Sequence, residues 1–200
     1  MMTAKVKGLT SGAMIVGLGL ATGCDRVSMG STWRQVEARQ NGLKAKIVIP
    51  VAEVRAKKEL TPKLDAYWSG QFAIGEARAQ DYLVKFDAEG DFESLEVGFD
   101  YYFSETHALG LGLGVGIARA KYQVRGRWGK IGLTKADQFW SGPNLNLALV
   151  GEIPPVTADN LKLVWRLGYN FTQAHIERSE IDVDLDGWYV GIGLQFDLKN

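Results

Sequence analysis

The sequence is short of the residues from which active sites are usually built. Its 200 residues hold one cysteine, Cys24, and two histidines, His107 and His175. A single cysteine excludes a disulfide within the chain and a zinc or thiol site made from paired cysteines. Charge of one sign is missing as well. Lys plus Arg and Asp plus Glu stand at 23 each, so no net field recruits nucleic acid, and no basic run with interleaved aromatics replaces it. The apolar run from Gly8 to Ala21 is too short and too glycine-rich to span a bilayer as a helix. There is no phosphate loop, metal cluster or nucleophile motif, so no cofactor is expected. No repeat and no low-complexity linker divides the chain.

The short apolar run has another use. Preceded by Lys5 and Lys7, it reads as the core of a secretory signal over residues 1–23. Leu20-Ala21-Thr22-Gly23-Cys24 resembles the lipobox of bacterial lipoproteins, whose cysteine becomes the lipidated first residue, although leucine is commoner where Ala21 stands. Ala21-Thr22-Gly23 suits ordinary signal peptidase equally well, and both outcomes stay open at Cys24.

Glycine, by contrast, is abundant at 24 residues and falls mostly inside strand-like segments. In His107-Ala-Leu-Gly-Leu-Gly-Leu-Gly-Val-Gly-Ile-Ala-Arg119, the residues Leu109, Leu111, Leu113, Val115 and Ile117 alternate with Gly110, Gly112, Gly114 and Gly116. A helix cannot use a period of two, and each glycine in it would cost about 1 kcal/mol. A strand can use it where one face meets oil and the other has no room for side chains.

The same alternation runs through Leu64 to Ile74, Leu95 to Phe103, Phe139 to Glu152, Asn160 to His175 and Gly187 to Leu198, which makes six strands. Leu43 to Arg55 is a seventh, with a bulge or a poorly paired position expected at Pro50 because proline lacks the ladder N–H. Residues 24–42 are a separate N-terminal segment with two readings. Trp33 to Gln40 with an Asn41-Gly42 turn forms an eighth strand. Thr32 and Gln35 as a capping box, with Gly42 as a stop, form a short helix instead. Even strand numbers in single-chain bacterial barrels favour the strand, with the barrel domain at 43–200. Connections alternate between short ones, at 104–107 and 153–159, and longer polar ones, at 126–138 and 177–186. That rhythm fits periplasmic turns and external loops.

Whether the apolar face points in or out is decided by the other face. It carries Asp65, Glu96, Asp100, Glu152, Lys162, Arg166 and Asp197, with Asn144, Asn146 and Gln195, alongside the strand glycines. An eight-stranded barrel has a narrow interior that favours glycine and requires charges to pair. Asp65, Asp100, Glu152 and Asp197 are expected near the periplasmic end with Lys162, and Glu96 and Arg166 nearer the middle. The expected result is a static polar plug, with a gate over a narrow pore as the less favoured reading. Gly112 and Gly114 are expected to make room for bulky groups such as Arg166 and Tyr67. Trp68, Tyr101, Phe103, Trp140, Tyr169 and Trp188 fit interfacial girdles.

The last strand, Tyr189 to Asn200, resembles the C-terminal signal by which outer-membrane barrels are recognised for assembly, with Gly191, Leu194 and Phe196 at the matching places and Asp197 to Asn200 as extra residues. Residues 64–200 resemble the small outer-membrane barrels of the OmpA/OmpX-like superfamily. The resemblance implies an all-β, eight-stranded, up-and-down antiparallel transmembrane barrel in the bacterial outer membrane. Its partners would be outer-membrane lipids and the barrel-assembly machinery, and its role structural, surface-interacting or weakly conducting, without catalysis. A lipid-anchored, lipocalin-like carrier of a hydrophobic ligand is the alternative. A lipid A-modifying enzyme at His175, Glu177, Arg178 and Ser179 is less favoured, because that family's histidine and serine lie two residues apart on one strand. His107 is expected in a solvated periplasmic turn.

Overall fold

The computed structural model describes residues 23–40, 43–73, 77–80, 84–128, 131–154, 160–172, 182–184 and 186–198. Ten strands follow one another without a helix among the described residues. They are β1 (Arg26–Gln40), β2 (Leu43–Thr61), β3 (Leu64–Ala73), β4 (Ala77–Gln80), β5 (Val84–Tyr102), β6 (Gly110–Trp128), β7 (Ile131–Ile153), β8 (Leu161–Thr172), β9 (Asp182–Asp184) and β10 (Gly187–Asp197). Eight of them form an antiparallel meander, and pairing of β10 with β1 closes it into an eight-stranded barrel. The short β4 and β9 add to β5 and β1 outside this circuit. Closure removes the exposed edges that an open sheet would have.

One end of the barrel, called here the turn end, carries the tight turns after β2 and β5 and both ends of the described chain. The opposite end, the hairpin end, carries the β1–β2 and β6–β7 connections.

The alternation read from the sequence sets the faces. Leu111, Leu113, Val115 and Ile117 point outward, Ile117 with 65% of its surface exposed, as do Leu147, Val190, Ile192 and Leu194. Asp65, Glu96, Asp100, Asn146 and Gln195 point inward and are buried. Tyr101 and Phe103 meet edge to face on the outside near the turn end, and Tyr169 packs on Phe171 and Trp188 toward the other. The side chain of Trp140 lies outside the described residues.

Three expectations need correction, and two open readings are decided. Residues 31–40 take the favoured strand reading and not the helix: Arg26–Gln40 is the first barrel strand, so the barrel begins before residue 43. Its one-sided alternation was obscured by Ser28, Gly30 and Ser31, small residues that fit either face. Of the two readings of Pro50, the bulge fails and the poorly paired position holds. Pro50 pairs with Trp33 one residue beyond Val51, where the pairing of β2 with β3 ends, so its missing N–H falls where β2 has one neighbour fewer. The shift in register lies instead between Glu59 and Thr61.

Residues 126–138 are not a loop, since β6 and β7 stay paired from Gly110↔Val150 out to Trp128↔Ile131. About 9–11 residues suffice for a tilted strand to cross a bilayer, and β5, β6 and β7 have 19, 19 and 23. Beyond an apolar belt of that height neither face needs to be apolar, so the periodic signal stops while backbone pairing continues. Likewise, part of 177–186 is strand β9, paired with β1.

Candidate functional site

The lumen is where the chain's polar side chains converge. A row of glycines on one side faces rings and guanidinium groups on the other. A Cβ on Gly114 would collide with the Tyr67 hydroxyl and the Glu96 carboxylate, and one on Gly112 would stand 2.6 Å from Arg166 Nη2 and 2.7 Å from Asp100 Oδ1. The Tyr67 ring lies between two guanidinium groups, with Arg55 3.9 Å and Arg166 5.1 Å from its centroid. Gly168 similarly admits Tyr189, 2.6 Å from where its Cβ would be.

From the turn end inward the charges form one connected chain. Lys162 reaches Asp197 Oδ2 at 3.6 Å and Glu152 Oε2 at 3.4 Å. Glu152 also receives Arg26 at 3.3 Å and Lys57 at 3.4 Å, and Arg26 pairs closely with Asp65. Lys57 continues to Asp100 at 3.3 Å, where Arg166 at 3.3 Å and Arg55 at 3.5 Å arrive from other strands. Arg55 then pairs with Glu53 at 2.6 Å, and Glu53 accepts a hydrogen bond from Thr32 at 3.0 Å. Every carboxylate in this chain meets a cation, as burial in a low dielectric demands.

Toward the hairpin end the network changes from ions to amides. Glu96 accepts from the Tyr67 hydroxyl, from Asn146 at 3.2 Å and from Asn144 at 3.4 Å. Asn146 donates to Asn170 at 3.2 Å and accepts from Tyr189 at 2.8 Å. Of the residues singled out in the sequence, Asp65, Asp100, Glu152, Lys162, Arg166 and Asp197 thus share one ion-pair chain, while Glu96 takes its hydrogen bonds from the neutral donors Tyr67, Asn144 and Asn146.

Sequence reasoning missed Glu53, and it missed Arg26, Arg55 and Lys57, which supply most of the positive charge of the network. The alternation of Val54 and Ala56 with Arg55 and Lys57 carried the signal, in a segment read mainly for its proline. His107 is the second correction within the site. It is buried instead of solvated, with φ of 57°, a left-handed conformation unusual for a residue with a side chain. Its ring stacks on Tyr102 at 4.1 Å, Nε2 donates to the Pro62 carbonyl at 2.9 Å, and Nδ1 faces Arg26 Nη1 at 2.9 Å.

Ligand atoms of Asp65, His107 and Glu152 lie within 4.8 Å of one another, a spacing compatible with a metal ion. The Arg26 guanidinium already fills that point, touching all three, and Lys57 and Lys162 stand at Glu152. The positive charge is supplied by the chain itself.

Between Thr32, Glu53, Arg55, Lys57, Asp100 and Arg166 a cavity of about 40 Å³ remains, room for a few water molecules. Arg166 Nε and Nη1 are buried without a protein hydrogen-bond partner and line it, so water there would satisfy them. A wider polar recess of about 420 Å³ opens at the turn end, bordered by Arg26, Glu59, His107, Lys162 and Asp197.

Cys24 lies outside the lumen, buried among Val27, Val54 and Ala56 with Trp68 and Phe72 against them. On β10, Leu194 and Phe196 share the outer face, and Gly191 is on the inner one. His175, Glu177, Arg178 and Ser179 lie outside the described residues.

Neither a family model nor a curated protein sequence matches the chain. Solved structures do. The attachment invasion locus protein Ail of Yersinia pestis, in complex with the heparin analogue sucrose octasulfate, is 13% identical and aligns over 86% of this chain and 99% of its own, with a TM-score of 0.51. Neisserial surface protein A is 14% identical over 86% of this chain and 97% of its own, with a TM-score of 0.49. The likeness to Ail is one of fold: this chain has the architecture of the small outer-membrane β-barrels.

Proposed function

We propose that the protein is an integral outer-membrane barrel whose lumen is closed, and which acts as a rigid scaffold presenting its long hairpins outside the cell. The observation that carries this reading is the contrast between the two sides of the wall. An apolar belt such as Leu111, Leu113, Val115, Leu147 and Ile192 faces outward, and interlocked side chains fill the interior. A soluble carrier of a hydrophobic ligand needs the opposite arrangement, and the lipocalin-like alternative falls on that ground.

A conducting role is disfavoured by the same packing, since Tyr67 is held between Arg55 and Arg166 across the lumen. Catalysis by His107 is disfavoured because its ring nitrogens face Arg26 and the Pro62 carbonyl, and neither meets a serine hydroxyl. In this reading the turn end is periplasmic, and β5 to β7 continue beyond the outer surface. The signal over residues 1–23 delivers the chain for export, Gly191, Leu194 and Phe196 present the last strand to the assembly machinery, and lipids cover the belt. The apolar surroundings of Cys24, among Val27, Val54 and Ala56 on the outer face, support a lipid anchor there whose acyl chains enter the adjoining leaflet.

The purified barrel is expected to show heat-modifiable migration in detergent gels and no unit conductance in planar bilayers at neutral pH, while protease added to whole cells cuts within 119–141. Stepwise conductance, or fractionation with the soluble periplasm, would overturn the proposal. Mass spectrometry of the mature N-terminus decides lipidation, and an unmodified start removes it.

A further inference from the structure

We propose that His107 is a proton-operated latch on the periplasmic mouth. With the ring neutral it holds Arg26 over Glu152 and Asp65. With the ring protonated it takes Glu152 for itself and releases Arg26 toward Glu59. The proposal rests on the closed-barrel reading, because it assigns the recess at the turn end to the periplasm.

The geometry fixes the resting state. A carbonyl oxygen only accepts, so Nε2, 2.9 Å from the Pro62 carbonyl, carries the hydrogen. A guanidinium only donates, so Nδ1, 2.9 Å from Arg26 Nη1, carries the lone pair. Both contacts together describe a neutral imidazole in one tautomer. A second proton on Nδ1 would set donor against donor and cation against cation at that distance. The Glu152 Oε2 atom, 3.5 Å from Nδ1, is the acceptor already in reach.

Each neighbouring strand contributes to the exchange. Asp65 on β3 and Glu152 on β7 hold Arg26 from below, while Lys57 on β2 and Lys162 on β8 keep Glu152 paired when Arg26 leaves. The Glu59 carboxylate, half-exposed at the rim, stands 3.8 Å from Arg26 Nη2 as the receiving partner. The ring itself has no freedom to turn away. It stacks on Tyr102 at an interplanar angle of 9°, and its backbone accepts the Glu152 N–H at 2.8 Å and donates to Ser104 at 3.1 Å. Protonation therefore changes partners, not the pose of the turn.

Burial works against a charge on His107, but its hydrogen bonds to Glu152 and the Pro62 carbonyl, with the Glu152 charge, outweigh burial and Arg26, and its pKa is raised. Exchange of partners thus requires no strong acid. Arg26 borders the 420 Å³ recess, so its release deepens that recess toward Asp65.

The test follows the guanidinium protons of Arg26 by nuclear magnetic resonance in the intact, lipid-reconstituted protein, alongside the ring carbons of its two histidines. Their exchange with solvent is base-catalysed, so a rigidly held arginine exchanges more slowly as pH falls. Release reverses that sign. Arg26 exchange is expected to quicken about tenfold on acidification, with the midpoint of the His107 ring, and to slow monotonically in His107→Gln. Slowing in the wild type, or a midpoint unrelated to the His107 ring, overturns the latch, and the wild-type measurement decides even if the variant does not insert. Conductance at neutral pH would overturn the closed-lumen reading without touching this result, and silent bilayers with no Arg26 response would do the reverse.

Discussion

Along β6 the outward Leu111, Leu113, Val115 and Ile117 stand about half-exposed or more, while the inward Gly112 and Gly114 are packed against Arg166, Asp100, Tyr67 and Glu96. The two faces belong to one strand and answer to different physics. Outside, on the proposed reading, the partner is a fluid hydrocarbon that accepts any apolar shape, so the sequence needs hydrophobicity and little else. Inside, the partners are fixed side chains at hydrogen-bond distance, so the sequence needs particular volumes and paired charges. The comparison teaches that polar residues hold this fold together from within, and it can be broken from either side.

The largest effect is expected from an inner charge that several partners share. Glu152→Leu leaves Arg26, Lys57 and Lys162 without the carboxylate they surround. Removing one member of a buried ionic cluster costs about 3–5 kcal/mol, and urea unfolding in lipid vesicles should show a loss of that order. Next comes Gly114→Leu, whose side chain must enter space held by Tyr67 and Glu96. Overpacking costs about 1–3 kcal/mol, and this position lies at the upper end because Tyr67 is clamped between Arg55 and Arg166.

How much of this was legible in the sequence follows the same division. Strands that cross lipid announce themselves, because a period of two is imposed by oil on one side and a lumen on the other; β6, β8 and β10 were readable for that reason. The outer ends of β5 to β7 have no oil to obey, and their pairing left no periodic trace. The inner face showed which residues were polar but not which met, since Arg26 and Glu152 are separated by 126 residues and joined only by closure of the barrel. His107 was hidden differently. Its turn has ordinary loop composition, and only the left-handed backbone at that residue carries the ring into the mouth.

A smaller effect sharpens the comparison at the mouth, where the lumen meets water. The pKa of His107 is raised in the folded protein: burial opposes charge, but the hydrogen bond to Glu152 open to the protonated ring and that to the Pro62 carbonyl outweigh it. Protonation of this residue therefore stabilises the fold. That contribution is complete below the unfolded value of about 6.5 and is lost as pH rises through the higher folded value. The urea midpoint should fall over this window in the wild type and lose the His107-dependent part of that fall in His107→Gln.

The smallest effect is the control on the outer face, and its pairing with Gly112 makes it decisive. Leu113→Ile keeps volume and hydrophobicity at a position about half-exposed to hydrocarbon, so nothing fixed must move, and the cost should stay under about 1.5 kcal/mol. Gly112→Leu, one residue away, pushes a side chain against Arg166 Nη2, Asp100 Oδ1 and Val150 Cγ1. Arg166 can shift only by loosening its hold on Asp100, which also anchors Lys57 and Arg55. Gly112→Leu should therefore unfold at clearly lower urea than Leu113→Ile in the same vesicles. Equal stability would mean that the inner face has slack, and the interlocked lumen would fail as an account of the glycines. The reverse order would mean that leucines meet a packed core and glycines meet water, the arrangement of a soluble barrel.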